Sequence, residues 1–168
     1  MNQEKLELIT DFYEFTMSNG YLLKNMNDIA YFDVFFRSVP DKGGYAIVAG
    51  LEQVIEFIEN LKFDDEDIKY LRARNIFSEE FLDYLKNFKF SGDIWAIPEG
   101  TVVFPREPLI TVRAPIIEAQ LLETMLLLII NHQSLIATKT NRIVREAKGR
   151  PVMEFGARRA HGTAAAVY

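Results

Sequence analysis

Apolar side chains between residues 115 and 137 recur at the spacing of one helix face, through Ile117, Leu121, Met125, Leu128, His132 and Leu135. Pro115 suits a first turn, so this stretch is expected to be the core helix. Its longest unbroken apolar run, Met125 to Ile130, is six residues flanked by Glu118, Glu123, Asn131 and His132. Six is too few to cross a bilayer, and no membrane partner is expected. Upstream, Thr10 and Asp11 with Glu14 announce a helix over about Asp11 to Leu23, the two acids being placed to satisfy free first-turn donors. Tyr31 to Arg37 is rich in aromatic and β-branched residues and ends at Ser38-Val39-Pro40, the pattern of a buried strand with Arg37 at its outgoing end. Gly43-Gly44 marks a loop. Leu51, Val54, Ile55 and Ile58 give helical spacing across Tyr45 to Leu61, Asp64 to Arg74 reads as a second short helix, and Ser78 with Glu79 and Glu80 starts a third.

Between Ser91 and Pro115 the period changes. Asp93 to Ile97, Thr101 to Phe104 and Leu109 to Arg113 are expected to be short strands separated by Pro98-Glu99-Gly100 and Pro105-Arg106-Glu107-Pro108. After the core helix, a polar and basic helix is expected from about Thr138 to Ala147, stopped by Gly149 and Pro151. Val152 to Phe155 then reads as a strand, with Gly156 turning the chain and Arg158 and Arg159 on the loop at its carboxyl end, where α/β proteins place ligands. Thr163 to Tyr168 has a cap and helix formers but no terminator, as expected for the first unit of a longer βα-repeating domain.

Charge sharpens this picture. The chain of 168 residues carries a net −5, yet residues 139–159 hold five net positive charges while residues 1–138 sum to −10. A local cationic centre on an acidic protein points to an anionic small ligand and away from nucleic acid. With no cysteine there is neither a disulfide framework nor a thiolate nucleophile, and the opening Met1 to Glu7 lacks the basic-then-apolar order of a signal peptide, so a cytoplasmic location is expected.

The common phosphate fingerprints, G-x-G-x-x-G and G-x-x-x-x-G-K-[ST], are absent. Asp64-Asp65-Glu66-Asp67 sits where acids favour a helix start, which is the simpler reading than a metal site. His132 falls on the apolar face as a hydrogen-bonded core histidine, and His161 has no companion at ligand spacing. Surface salt bridging is the plainer fate of Arg158 and Arg159, but an adjacent pair after a strand and a glycine favours bidentate binding of phosphate or carboxylate. By spacing alone, Tyr13 and Phe155 are core aromatics.

Several separated motifs in order resemble the amino-terminal portion of the nicotinate phosphoribosyltransferase family. They are Leu8 to Met17, Phe32 to Arg37, Gly44 to Leu51, Pro98-Glu99-Gly100 and Glu154 to Ala160. The resemblance implies an α+β fold: an amino-terminal α/β domain with a small antiparallel sheet over 1–137, including the core helix 115–137. The start of an incomplete type II phosphoribosyltransferase α/β barrel would follow over 138–168. It implies transfer of phosphoribosyl from phosphoribosyl pyrophosphate to nicotinate, coupled to ATP hydrolysis, with Mg²⁺, in NAD synthesis. It further implies a homodimer with a shared site. In it Tyr13 stacks on the pyridine ring from the neighbouring subunit, Phe155 forms the opposite face, Arg158 meets the nicotinate carboxylate or the ribose phosphate, and Arg37 reaches phosphate groups from the partner. The family's catalytic histidine and later phosphate loops fall beyond Tyr168, so no catalytic residue and no metal ligand is expected here. Gly162-Thr163-Ala164 departs from the family's Gly-Pro-Asp after the arginines. The remaining alternatives are a nicotinamide or quinolinate phosphoribosyltransferase, and a non-catalytic assembly or binding module.

Overall fold

The computed structural model describes residues 6–39 and 43–167. In chain order these form α1 (Phe12–Leu23), β1 (Ile29–Val34), β2 (Ala46–Ile47), α2 (Leu51–Asn60), α3 (Asp65–Arg72), α4 (Glu79–Lys86), β3 (Asp93–Ala96), β4 (Val102–Val103), β5 (Ile110–Pro115), α5 (Ile116–Gln120), α6 (Glu123–Ala147) and α7 (Thr163–Val167), with a 3-10 turn at Ala157–Arg159. Pro40, Tyr168 and the first five residues, on which some of the expectations fall, lie outside the described residues.

Mixed helices and small antiparallel sheets make this an α+β fold. Strand β5 is the centre of a three-stranded sheet, pairing antiparallel with β1 from Ile29↔Pro115 to Val34↔Ile110 and with β3 from Asp93↔Arg113 to Ala96↔Ile110. Alternation along β5 sends Ile110, Val112 and Ala114 into the core and Thr111 and Arg113 to the outer face. That face is a polar ladder: Arg113 donates to Tyr31 Oη at 3.1 Å and to Asp93 at 2.9 Å, and Thr111 donates to Asp33 at 2.6 Å. The three expected strands of residues 91–115 therefore do not form one meander. The middle one, β4, pairs with β2 in a separate two-stranded sheet.

Three expected elements are corrected. Residues 45–50 are not helical: Ala46–Ile47 is strand β2, and α2 starts only at Leu51. The cause is distant: Ile47 N–H donates to Thr138 Oγ1 at 2.8 Å, Ala49 N–H donates to Ser134 Oγ at 3.1 Å, and Glu99 accepts the N–H groups of Gly50 and Leu51 at 2.5 and 2.8 Å. Gly50, at φ 106°, lets β2 turn into α2 against Ile129, whose backbone oxygen would lie 3.2 Å from any Cβ there. The separate helix from Thr138 is also absent, because α6 holds neither glycine nor proline and runs unbroken through Thr138 to Ala147. It ends as expected, with Lys148 (φ 51°) and Gly149 (φ 82°) in the left-handed region. Residues 152–155, the third case, form no strand. Their pattern suits one, but no described strand lies alongside, and an unpaired strand leaves its N–H and C=O groups to water.

The core lies between the inner face of the larger sheet, α5, the first turns of α6 and the α3–α4 pair. Helices α3 and α4 start where the sequence placed them. Asp64 and Asp67 make a reciprocal capping box, and Ser78 Oγ accepts from Phe81 N–H at 3.2 Å. Edge-on ring contacts tie α1 to this region through Phe12–Phe77 at 5.7 Å, Phe15–Phe77 at 6.3 Å and Phe15–Phe63 at 6.0 Å. By length and composition the stretch 116–147 is apolar enough to cross a membrane, more than its six-residue run suggested. In this fold Met125, Leu126 and Ile130 put that apolar character into the protein core. The expected single core helix is interrupted at Leu121–Leu122 between α5 and α6, and the resulting face leaves Leu128, expected inside, exposed.

Candidate functional site

Helix α1 buries Glu14, Phe15 and Ser18, so successive 100° steps leave Phe12, Tyr13 and Met17 on the outer side. Tyr13 is therefore not the core aromatic its spacing suggested: 43% of it is exposed. Its hydroxyl donates to Glu123 Oε1 at 2.7 Å, and the second oxygen of Glu123 accepts from Gln120 Nε2 at 2.7 Å. The Tyr13 phenol is pushed up to about 12, first by the hydrogen bond to Glu123, then by partial burial and the charges of Glu123, Glu14 and Asp11. It stays neutral at any physiological pH.

Behind Tyr13, Glu14 is fully buried and does not cap α1 as its position suggested. Its carboxylate turns inward and accepts from the hydroxyls of Thr10 and Thr124, while Thr124 Oγ1 also accepts Asp11 N–H at 3.1 Å. Burial pushes the Glu14 carboxyl above the ordinary carboxylate range, and the two hydroxyls pull partly the other way. A carboxyl whose folded-state pKa is raised contributes stability that is complete below the unfolded value and is lost as pH climbs through the folded one. Glu14→Gln, which keeps an acceptor but cannot ionise, is accordingly expected to gain stability relative to the parent between about pH 5 and about pH 8. Urea midpoints of both proteins at the two pH values check this, and a difference that does not change with pH contradicts it.

Arg37 follows β1 on the wall of a cleft of about 400 Å³ lined also by Phe35, Phe36, Leu127, Leu128 and Asn131. One wall is thus the β1 exit loop and the other is α6. Arg37 is exposed and, among the described residues, has no hydrogen-bond or ion-pair partner. The side chains of Arg158 and Arg159 share that condition on the 3-10 turn. Every residue from Lys148 to Phe155 is exposed, Phe155 at 73%. Phe155 is thus not a core residue either. Glu154 folds back to accept Gly156 N–H, shaping the turn that presents the two arginines. No described hydrogen bond, ion pair or ring contact joins Tyr13 or Arg37 to Phe155 or Arg158 within the chain.

The cationic segment is partly structural. Tyr45 Oη donates to Asn141 at 3.0 Å, the Arg142 guanidinium lies 5.9 Å from the Tyr45 ring centroid, and Arg145 donates to Tyr45 Oη at 3.4 Å. His132 lies on the half-buried side of α6, but its Nε2 has no described partner, so the expected hydrogen-bonded core histidine is not found at that atom. His161 is exposed. Glu7, Asp64 and Asp67 bring carboxylate oxygens within 4.8 Å of one another, yet Asp64 Oδ1 already accepts the N–H groups of Glu66 and Asp67. Asp64 and Asp67 are thus engaged as the cap of α3.

Sequence reasoning missed Glu123 and Gln120, which restrain Tyr13. They stand three apart at the α5–α6 junction, a spacing with many uses, and no local signal connects residue 123 with residue 13.

The chain is similar to nicotinate phosphoribosyltransferase pncB2 of Mycobacterium tuberculosis, with 52% identity over 95% of this chain and 34% of the relative. The nicotinate phosphoribosyltransferase of Bacillus subtilis is 43% identical over 98% of this chain and 34% of its own length. The chain thus spans about a third of the length of the curated relatives it matches. Among solved structures, human nicotinic acid phosphoribosyltransferase superposes with a TM-score of 0.81 and 34% identity, over 91% of this chain and 32% of that one. A nicotinate-nucleotide pyrophosphorylase from Pyrococcus furiosus shares the fold, with a TM-score of 0.73 and 23% identity over 96% of this chain and 35% of that one. Residues 8–131 match the family model of the nicotinate phosphoribosyltransferase (NAPRTase) N-terminal domain, and with that span this chain belongs to the nicotinate phosphoribosyltransferase family.

Proposed function

We propose that this chain is the amino-terminal part of a cytoplasmic enzyme that transfers phosphoribosyl from phosphoribosyl pyrophosphate to the ring nitrogen of nicotinate, with ATP hydrolysis, forming nicotinate mononucleotide for NAD synthesis. The observation that carries the reading is the family match over residues 8–131 together with 52% identity to a named relative over nearly the whole chain. Exposure of Tyr13, Arg37, Phe155 and Arg158, with both guanidinium groups uncommitted among the described residues, supports their role in holding substrate. The division is at 137–138, the second part beginning an α/β barrel, with α6 rooted in the first and running into the second.

In this reading Tyr13 and Phe155 clamp the flat pyridine from two subunits of a homodimer. Arg158 meets the base carboxylate or the ribose phosphate, and Arg37 meets phosphate. A ring held on both faces presents its nitrogen to the sugar in one orientation, which removes most of the entropy of the encounter. Departure of pyrophosphate leaves positive charge on the ribose, and guanidinium groups at that end neutralise the departing anion. The Mg²⁺ that the family implies does not fit the described residues. In their three-carboxylate cluster Asp64 and Asp67 are engaged in capping α3, and Glu154 is the single acid between residues 147 and 167. No step is assigned to the metal here.

The test is product formation from nicotinate, nicotinamide and quinolinate by the protein at the full length of its relatives, beside the 168-residue chain. Turnover of nicotinate at a kcat/KM on the order of a hundredfold or more above the other two bases is expected, with none from the chain alone. Preference for either rival base overturns the substrate, and clear turnover by the chain overturns its dependence on the remaining length.

A further inference from the structure

An exposed tyrosine on a helix ordinarily turns freely about two side-chain bonds. Tyr13 does not, because Glu123 holds its hydroxyl at 2.7 Å and Gln120 holds the other oxygen of Glu123 at 2.7 Å. The anchor is stiff. Gln120 is buried, Glu123 is the first residue of α6, and Leu121, Leu122, Met125 and Leu126 around it are almost wholly buried. A carboxylate at a helix start is also favoured by the unpaired backbone N–H groups there. One residue on, Thr124 binds Asp11 N–H and the Glu14 carboxylate, so the first turn of α1 is registered on the first turn of α6 at two neighbouring points.

We propose that Glu123, steadied by Gln120, is a positioning residue that fixes the tilt of the Tyr13 ring against the flat base. This rests on the reading of Tyr13 as a stacking aromatic. A ring pinned at its hydroxyl keeps one plane before substrate arrives, so binding does not have to order it. Glu123 itself touches no substrate.

The experiment is steady-state kinetics of the full-length enzyme with nicotinate for Tyr13→Ala, Tyr13→Phe, Glu123→Ala, Glu123→Gln and the Tyr13→Phe/Glu123→Ala pair, with a thermal melt of each. Tyr13→Phe and Glu123→Ala are each expected to raise KM for nicotinate by roughly five- to tenfold and to change kcat by less than about twofold. The double variant is expected to be no worse than either single one, since both remove the same bond. Glu123→Gln, which keeps an acceptor oxygen, is expected to recover most of the loss. Multiplicative effects in the double variant, or a KM unmoved by Tyr13→Phe while Tyr13→Ala raises it, overturn the positioning role. Tyr13→Phe leaves α6 untouched, so that comparison holds even where Glu123→Ala unfolds. A KM unmoved by Tyr13→Ala instead overturns the stacking assignment beneath it.

Discussion

Arg158→Ala in the full-length protein is expected to lower kcat/KM for nicotinate by about a hundredfold while leaving the melting temperature within about 1 °C of the parent. The two halves of this expectation have separate causes. The Arg158 side chain stands exposed on the 3-10 turn with no hydrogen-bond or ion-pair partner among the described residues, so its removal takes no polar contact from the fold. A guanidinium facing a carboxylate or phosphate in a site that excludes water makes charge-assisted, paired hydrogen bonds, and their loss leaves the anion without a counter-charge. Arg158→Lys is expected to recover only part, because an ammonium keeps the charge but not the planar fork. Kinetics of the two variants beside Arg159→Ala separate a bound anion from general surface charge. Equal, small losses in all three contradict a specific role for Arg158.

Phe81→Ala is expected to cost the domain about 4 kcal/mol, measured as a fall in the urea midpoint at unchanged m-value. Phe81 is fully buried on α4 with Leu82 and Leu85, and its ring lies 5.7 Å from that of Phe77. Truncation there removes a whole ring and opens a cavity bounded by elements that cannot simply close in, since α4 is also fixed by the Ser78 cap and by Asn19 of α1. A loss of that size is a large share of the ~5–15 kcal/mol that holds a typical domain. Phe77 also packs on Phe12 and Phe15, so α1 loses support in the same variant. Phe81→Leu, which keeps most of the volume, is expected to cost about 1.5 kcal/mol or less. A midpoint shift for Phe81→Ala equivalent to under about 1 kcal/mol contradicts this account of the core.

The helix starts at Asp64 and Ser78 were legible because a cap is a local device, complete within four residues. Strand β5 was legible for a similar reason, since alternation carries its own signal. Strand β1 was legible as a strand but not in its bounds or burial: it spans Ile29–Val34 rather than Tyr31 to Arg37, and as a sheet edge it leaves Tyr31 and Phe32 exposed instead of buried. Residues 45–50 were not, since Ala46-Ile47-Val48-Ala49 is an unbroken apolar run that either period accepts. The deciding hydrogen bonds come from Ser134 and Thr138 on a helix about ninety residues away. Family resemblance singled out Tyr13, Arg37 and Phe155, and the arginine pair after a glycine had already singled out Arg158, whereas periodicity put both aromatics in the core. Structure shows the aromatics on the surface but does not join the four within one chain. The Tyr13–Glu123 contact bridges 110 residues, and nothing in a linear pattern encodes such a pair.

The unbroken rod of α6 sets a limit on reach. From Glu123, where Tyr13 is tethered, to Ala147 it covers 25 residues, roughly 37 Å along its axis. Eight residues lead from Ala147 to Phe155, and even drawn taut straight back along the rod they return only about 27 Å. On that arithmetic the backbone at Phe155 stops about 10 Å short of the tether. Under the shared site proposed above, a nicotinate gripped between these two rings belongs to two polypeptides at once, and diluting the protein until its copies separate is expected to extinguish turnover without unfolding either one.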